Sequence, residues 1–292
     1  MELQFLSSRY LVGIYSVSIP EPFEYTHPMA FKFTELNWQQ IDKLDRDKTI
    51  FLLPTGAIEQ HGPHLPVDTD IFNSNALVES VAASFKSNVI ALPPIWWGTS
   101  PHHKGYPGTI SLRLETFHHL LTDIFSSLTA HGFYRFLVLN GHGGNAGILT
   151  ASTADLSETL GVSIPTYSYW QSIKNVLVEI GDSEIGGMGH ACEMETSLAL
   201  HLRPELVDLK AIARDMPDVR VALSCIDFRQ PGFLGIPLDF RRDSKSGVMG
   251  DPTLATAEKG EKIFTAALAA AKDAVQSLLS ADRKVLITER FK

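Results

Sequence analysis

The chain has 292 residues, 25 Lys+Arg against 33 Asp+Glu for a formal net charge of −8, and 44% hydrophobic and 20% charged residues. This is an ordinary globular composition, long enough to bury a large core without metal or disulfide staples. The acidic balance offers no basic patch for phosphates, no apolar run approaches the ~20 residues of a bilayer span, and two cysteines, Cys192 and Cys225, make no disulfide framework.

The first residues, Met1 to Phe5, show no basic stretch leading into an apolar one, so no signal peptide is expected and the protein is read as cytoplasmic. Residues 1–40, with Pro20, Pro22 and Pro28, are read as an N-terminal arm, and 41–285 as one domain. Residues 49–54 (TIFLLP), 88–92 (NVIAL) and 135–140 (RFLVLN) are short apolar runs that suit strands buried on both faces. Helical spacing fills the intervals at 73–85 and 115–130, the second through Leu120, Leu121, Ile124, Phe125 and Leu128. A strand at 162–167 and a helix near 169–180 continue the alternation. A last long helix is expected from Asp251 as N-cap with Pro252 at its first position, running to about residue 279. Strands alternating with helices predict a single α/β domain with a mostly parallel central sheet flanked by helices. The stretch 230–237 (QPGFLGIP) reads as a long loop that covers a site or a subunit contact.

In such a sheet ligands bind beyond the carboxyl ends of the strands, and polar segments cluster there. Residues 55–70 (TGAIEQHGPHLPVDTD) place Glu59 and His61 two apart, so that both project to one side of an extended stretch, with Asp68 and Asp70 brought back by a proline-stiffened loop. Carboxylate beside imidazole is the donor set of Zn, Mn or Fe(II). Residues 141–145 (GHGGN) set His142 among glycines, with Asn140 and Asn145 placed to brace the turn. A phosphate cradle is the competing reading, but the Lys-Ser/Thr of a P-loop and the GxGxxG spacing are both missing. Residues 95–109 bring His102 and His103, with Trp96, Trp97 and Tyr106 expected as an aromatic pocket wall. In 186–197 (GGMGHACEMETS), His190, Glu193 and Glu195 open a helix, where acids also suit the macrodipole.

Together, TGAIEQHGPHLPVDTD, YPGTISL (106–112), NGHGGN (140–145) and HACEMETS (190–197) resemble the creatininase (creatinine amidohydrolase) family. The resemblance implies a binuclear metal site, hydrolysis of amide-like C–N bonds, an α/β fold and a homohexamer. Carried over by motif position, it implies Glu59, His61, Asp70, His142 and Glu195 as ligands of two divalent ions, zinc first and Mn or Fe as alternatives. Asp70 would bridge the ions, with a water or hydroxide between them. His190 is the implied catalytic acid, His103 a second pocket candidate, and His102 is expected to face either pocket or solvent. Glu193 reads as a supporting charge, Cys192 as a small buried residue, and His64 stays unassigned. The sequence departs from creatinine-cleaving members at Gly143 and Gly144, where they carry an aromatic and a Glu. It departs again at Gly186 and Gly187, where they carry a Trp-Asp pair.

The expected function is therefore hydrolysis of a small cyclic amide, lactam or formamide, with a small-molecule substrate and neither nucleic acid nor membrane as partner. Ring opening of a cyclic ketone by C–C cleavage is one alternative. A metal-binding accessory protein without catalysis is the other.

Overall fold

The computed structural model describes residues 32–85, 88–216, 226–230 and 234–287. Most of the arm (1–31), Cys225 and part of the 230–237 loop lie outside the described residues. In chain order the elements are α1 (Trp38–Asp42), β1 (Ile50–Thr55), α2 (Thr69–Ser84), β2 (Val89–Ala91), α3 (Leu114–Ala130), β3 (Phe136–Asn140), α4 (Ala146–Leu160), β4 (Thr166–Ser168), α5 (Tyr169–Ser172), α6 (Lys174–Ile180), β5 (Met188–His190), α7 (Glu193–Leu202), α8 (Phe240–Asp243), β6 (Met249–Gly250), α9 (Ala257–Ser280) and α10 (Arg283–Leu286).

Four parallel strands form the central sheet in the order β2-β1-β3-β4, and β5 pairs antiparallel with β6 apart from it. The alternation along β1 shows why both faces are buried. Ile50 and Leu52 enter one apolar cluster with residues of α2, α7 and α9, while Phe51 and Leu53 enter another with residues of α3 and α4. Every residue of β1 is buried, which is what an apolar run rather than an alternating one requires. The chain steps from β1 outward to β2, then crosses to β3 on the other side. Such a reversal opens a crevice outside the strand ends between β1 and β3.

Two details differ from the sequence expectation. The last helix starts at Ala257, capped by Thr256, whose side chain accepts from Lys259 N–H. Asp251 caps a separate short turn, Pro252–Leu254, instead. The expected helix near 169–180 is broken at Ile173 into α5 and α6. Residues 32–36 pack on the sheet, with Lys32 bridged to Ala91 and Phe33 edge-on to Phe51. No described helix is long and apolar enough to cross a membrane.

Candidate active site

The crevice at the ends of β1 and β3 gathers every residue singled out as a ligand. After β1 the chain runs extended, and Glu59 N–H donates to Val67 O (2.9 Å), closing the proline-stiffened loop. Asp70 stands in the first turn of α2. His142 follows β3 after a single glycine, Gly141, and is clamped by Asn140, which accepts from His142 N–H (3.1 Å) and donates to His142 O (2.8 Å). Asn145 ties the turn to its neighbours, accepting from Thr99 N–H and donating to Gly56 O, both at 2.9 Å. His190 ends β5. The next residue, Ala191, takes a left-handed backbone (φ 49°), which aims its N–H at Glu195 Oε2, 2.6 Å away at the start of α7.

Glu59, His61, Asp70, His142, His190 and Glu195 are all buried. His61 Nδ1–H donates to the Glu59 carbonyl (3.2 Å), which turns Nε2 toward Asp70 Oδ1 at 3.1 Å. With its Nδ1 spent on a carbonyl, a neutral His61 presents a lone pair to a carboxylate, a pairing that asks for a proton or a cation between them. His142 places Nδ1 2.8 Å from Asp70 Oδ2 and Nε2 3.3 Å from Glu59 Oε2. His103 Nε2 lies 3.2 Å and His190 Nδ1 3.7 Å from Glu59 Oε1. None of these nitrogens is aligned as a hydrogen bond to Glu59, and neither its two buried oxygens nor Asp70 Oδ2 has a well-aligned hydrogen bond. The ligand atoms of Glu59, His61 and Asp70 fall within 4.8 Å of one another, as do those of His61, His190 and Glu195.

The electrostatics follow from three buried carboxylates held close together. Burial, reinforced by the Asp70 charge, pushes Glu59 up to about 7 against the pull of His142 and His61. Burial likewise lifts Glu195 to about 7. Burial would raise Asp70 too, but His61 and His142 hold it below the usual carboxylate range. Burial disfavours charge on His61 and His142. The surrounding carboxylates, Asp70 foremost for His61 and Glu59 for His142, outweigh it and lift them to about 10 and about 9. His103 and His190 go the other way, held neutral first by burial and then by neighbouring imidazoles.

Above these groups opens a cavity of about 580 Å³, walled by the ligand set on one side and by Phe228, Ile236, Leu238 and Phe240 on the other. The expected aromatic wall is placed differently. Trp96 and Trp97 are 47% and 46% exposed, away from the described lining, and Tyr106 turns its hydroxyl toward the carbonyls of Phe240 and Ser244. His102 lines the cavity, stacked on His142 at 5.7 Å, rather than pointing to solvent. His64 is buried outside the lining, with Nε2 2.8 Å from Thr196 Oγ1. Glu193 also sits outside it, accepting from Asp182 and Ser183 N–H and pairing with Lys259. Burial drives the Cys192 thiol well above its ordinary pKa, which disfavours a thiolate.

Sequence reasoning missed two features. Gln60 lies inside the first motif, and apart from Gly62 its side-chain partners, His103, His190 and Gly247 O, are distant in sequence. Asp227 accepts from Gly186 and Met188 N–H, and Arg229 donates to Ser183 O and Glu184 O. The pair thereby holds the loop that delivers His190.

Residues 34–275 match the family profile Creatininase, described as creatinine amidohydrolase. A curated relative from Mycolicibacterium smegmatis, a mycofactocin precursor peptide peptidase, is 31% identical over 243 residues, spanning 81% of this chain and 88% of its own length. A 3-dehydro-scyllo-inosose hydrolase from Thermotoga maritima is 28% identical over 284 residues, 90% of this chain and 86% of its own. Among solved structures, a mutant creatininase of Zn-Zn type superposes with a TM-score of 0.73 at 26% identity, covering 86% of this chain and 98% of its own.

Proposed function

The chain belongs to the creatininase family, and from that premise we propose that it is a metal-dependent hydrolase of an amide-like C–N bond. In this reading Glu59, His61, Asp70, His142 and Glu195 hold two divalent cations, with Asp70 shared between them. Zinc is the first choice, with manganese or iron(II) as alternatives. The observation that carries it is the Glu59 carboxylate, fully buried with no well-aligned hydrogen bond on either oxygen. A buried carboxylate without such bonds is costly unless a cation compensates it.

When bound, such cations supply Lewis acidity, polarising a carbonyl oxygen and lowering the pKa of water. The chain's own residues do the remaining work. His61, with Nδ1 tied to a carbonyl, keeps its other nitrogen turned to the ligand cluster. His190, uncharged and at the cavity wall, exchanges a proton with the leaving nitrogen. Phe228, Leu238 and Phe240 line the cavity with apolar surface beside the ligand set.

The substrate reading starts from small cyclic amides, lactams and formamides. A peptide amide is the second reading, favoured by the cavity size and by the peptidase among the relatives. A cavity of about 580 Å³ falls within the range of roughly 300–1,000 Å³ that accepts drug-sized ligands. At Gly143 a side chain would meet nothing within 4 Å, so the pocket is open where creatinine-cleaving members carry an aromatic. Assembly as a homohexamer is part of the proposal and is read by light scattering.

The test is metal per subunit after reconstitution, together with turnover of lactams, formamides, short peptides and cyclic ketones. Two equivalents and C–N cleavage are expected, whereas under one equivalent overturns the binuclear reading. Glu59→Gln should lose metal and activity together, and unchanged metal content would remove Glu59 from the ligand set. Ring opening of a cyclic ketone, with the amides untouched, would replace C–N by C–C cleavage.

A further inference from the structure

We propose that Gln60 is the positioning residue of this pocket, fixing which nitrogen of His103 and of His190 carries the proton. The orientation of its side-chain amide is not free. Oε1 accepts from Gly62 N–H at 2.9 Å, and Nε2 donates to Gly247 O at 2.9 Å. A carbonyl only accepts and a backbone N–H only donates, so the flipped amide would oppose both partners.

That leaves one N–H on Nε2, with His103 Nδ1 2.8 Å and His190 Nε2 3.2 Å away; the latter is taken by the Gln60 carbonyl at 2.8 Å, so the N–H goes to His103 Nδ1. This nitrogen must therefore accept, and a neutral His103 carries its proton on Nε2, the atom 3.2 Å from Glu59 Oε1. The main chain of the same residue acts on the second ring. Gln60 O lies 2.8 Å from His190 Nε2 and can only accept, so Nε2 carries the proton and Nδ1 is left with its lone pair. The two histidines thus turn opposite groups toward the Glu59 side, His103 an N–H that is not aligned as a hydrogen bond and His190 a lone pair. His103 has no nitrogen left to bind a cation.

Gln60 is itself held from far along the chain. Gly247 has a left-handed backbone (φ 89°), and a Cβ there would overlap Gln60 Oε1. Its N–H donates to Ser244 Oγ (2.8 Å), and Asp215 accepts from Ser244, Lys245 and Ser246 to shape that turn. The proposal takes from the proposed function only that this pocket is the reacting site, and the tautomers are read whether or not the protein takes up metal.

The experiment is nitrogen NMR of protein labelled with ¹⁵N-histidine, zinc-loaded and again after chelation. His103→Gln and His190→Gln assign the signals. In the native chain both rings should give the pattern of Nε2–H with an unprotonated Nδ1. Gln60→Ala should release His103 into a mixture of tautomers while His190, held by main chain, keeps its pattern. The same variant should lower kcat at least tenfold, with KM and bound metal within twofold. Gly247→Ala, which displaces the amide from the other side, should change His103 in the same way. It serves as the second variant should Gln60→Ala fail to fold by circular dichroism. A native His103 protonated at Nδ1, or a His103 pattern untouched in both folded variants, overturns the proposal. Loss of zinc binding with the tautomers as described would leave it standing and count against the metal reading alone.

Discussion

Two histidines sit within 4 Å of the same Glu59 oxygen, and their substitution separates metal binding from proton transfer. His190 is outside the proposed five-ligand set, so His190→Ala should keep metal content near that of the native protein. Turnover should fall about 10²–10⁴-fold, the usual contribution of a positioned general acid. Undiminished turnover would remove His190 from the chemistry, and a parallel loss of metal would move it into the ligand set. At this scale the sequence was informative where residues serve a site two or nine positions away. Glu59 and His61 project together because extended residues alternate, and Asp70 returns through a loop closed by local hydrogen bonds. Gln60 was opaque because its amide nitrogen meets His103, His190 and a carbonyl 187 residues along the chain, and nothing local announces those contacts. His102 was undecided because its placement depends on stacking against His142, which comes from another strand.

Elements were legible when burial is complete and illegible when they are short or mixed. β1, β2 and β3 are buried throughout and apolar up to the terminal Thr55 and Asn140, so their positions follow from composition. The buried face of α4 is Leu149, Ser152, Thr153 and Leu156, half of it hydroxyl-bearing, and its apolar period is correspondingly faint. β5 and β6 are three and two residues long, too short for any pattern. What positions β5 is instead the buried Asp227–Arg229 pair, with Arg229 Nη2 2.8 Å from Asp227 Oδ2. Burial works to raise the Asp227 carboxyl, but Arg229 and the backbone donors hold it below its ordinary value. A folded pKa below the unfolded one means stability fully present above about pH 4. It is lost as pH falls through the lower folded value. Asp227→Asn should therefore cost about 3 kcal/mol at neutral pH, since Arg229 stays buried without its partner. It should also flatten this part of the acid limb. Denaturant melts of both proteins at pH 3 and pH 7 measure it. Equal losses at both pH values would show that the pair carries no charge-dependent stability, and slower turnover at unchanged metal content would follow from a looser His190.

At the scale of the whole molecule, three loops after β1, β2 and β3 and the start of α7 converge on one set of buried carboxylates. The fold accordingly spends part of its stability on their mutual repulsion. Two imidazoles carrying raised pKa values offset this in part, and bound cations would offset it more completely. Binding to the folded state alone stabilises by about 2.7 kcal/mol at a free concentration of roughly 100 Kd. For a domain of this size each kcal/mol moves the melting midpoint by about 2–4 °C. Chelation should thus lower the midpoint by about 5–10 °C if one ion is held and about 10–20 °C if two are. The comparison is calorimetric, with native protein and Glu59→Gln each measured with and without chelator. The variant should show a much smaller shift, because its weakened ligand set has less to lose. A native protein whose midpoint ignores chelation would mean that the carboxylate cluster is satisfied by protons alone. The convergence of four segments at the strand ends would then be a structural feature without a metal to explain it.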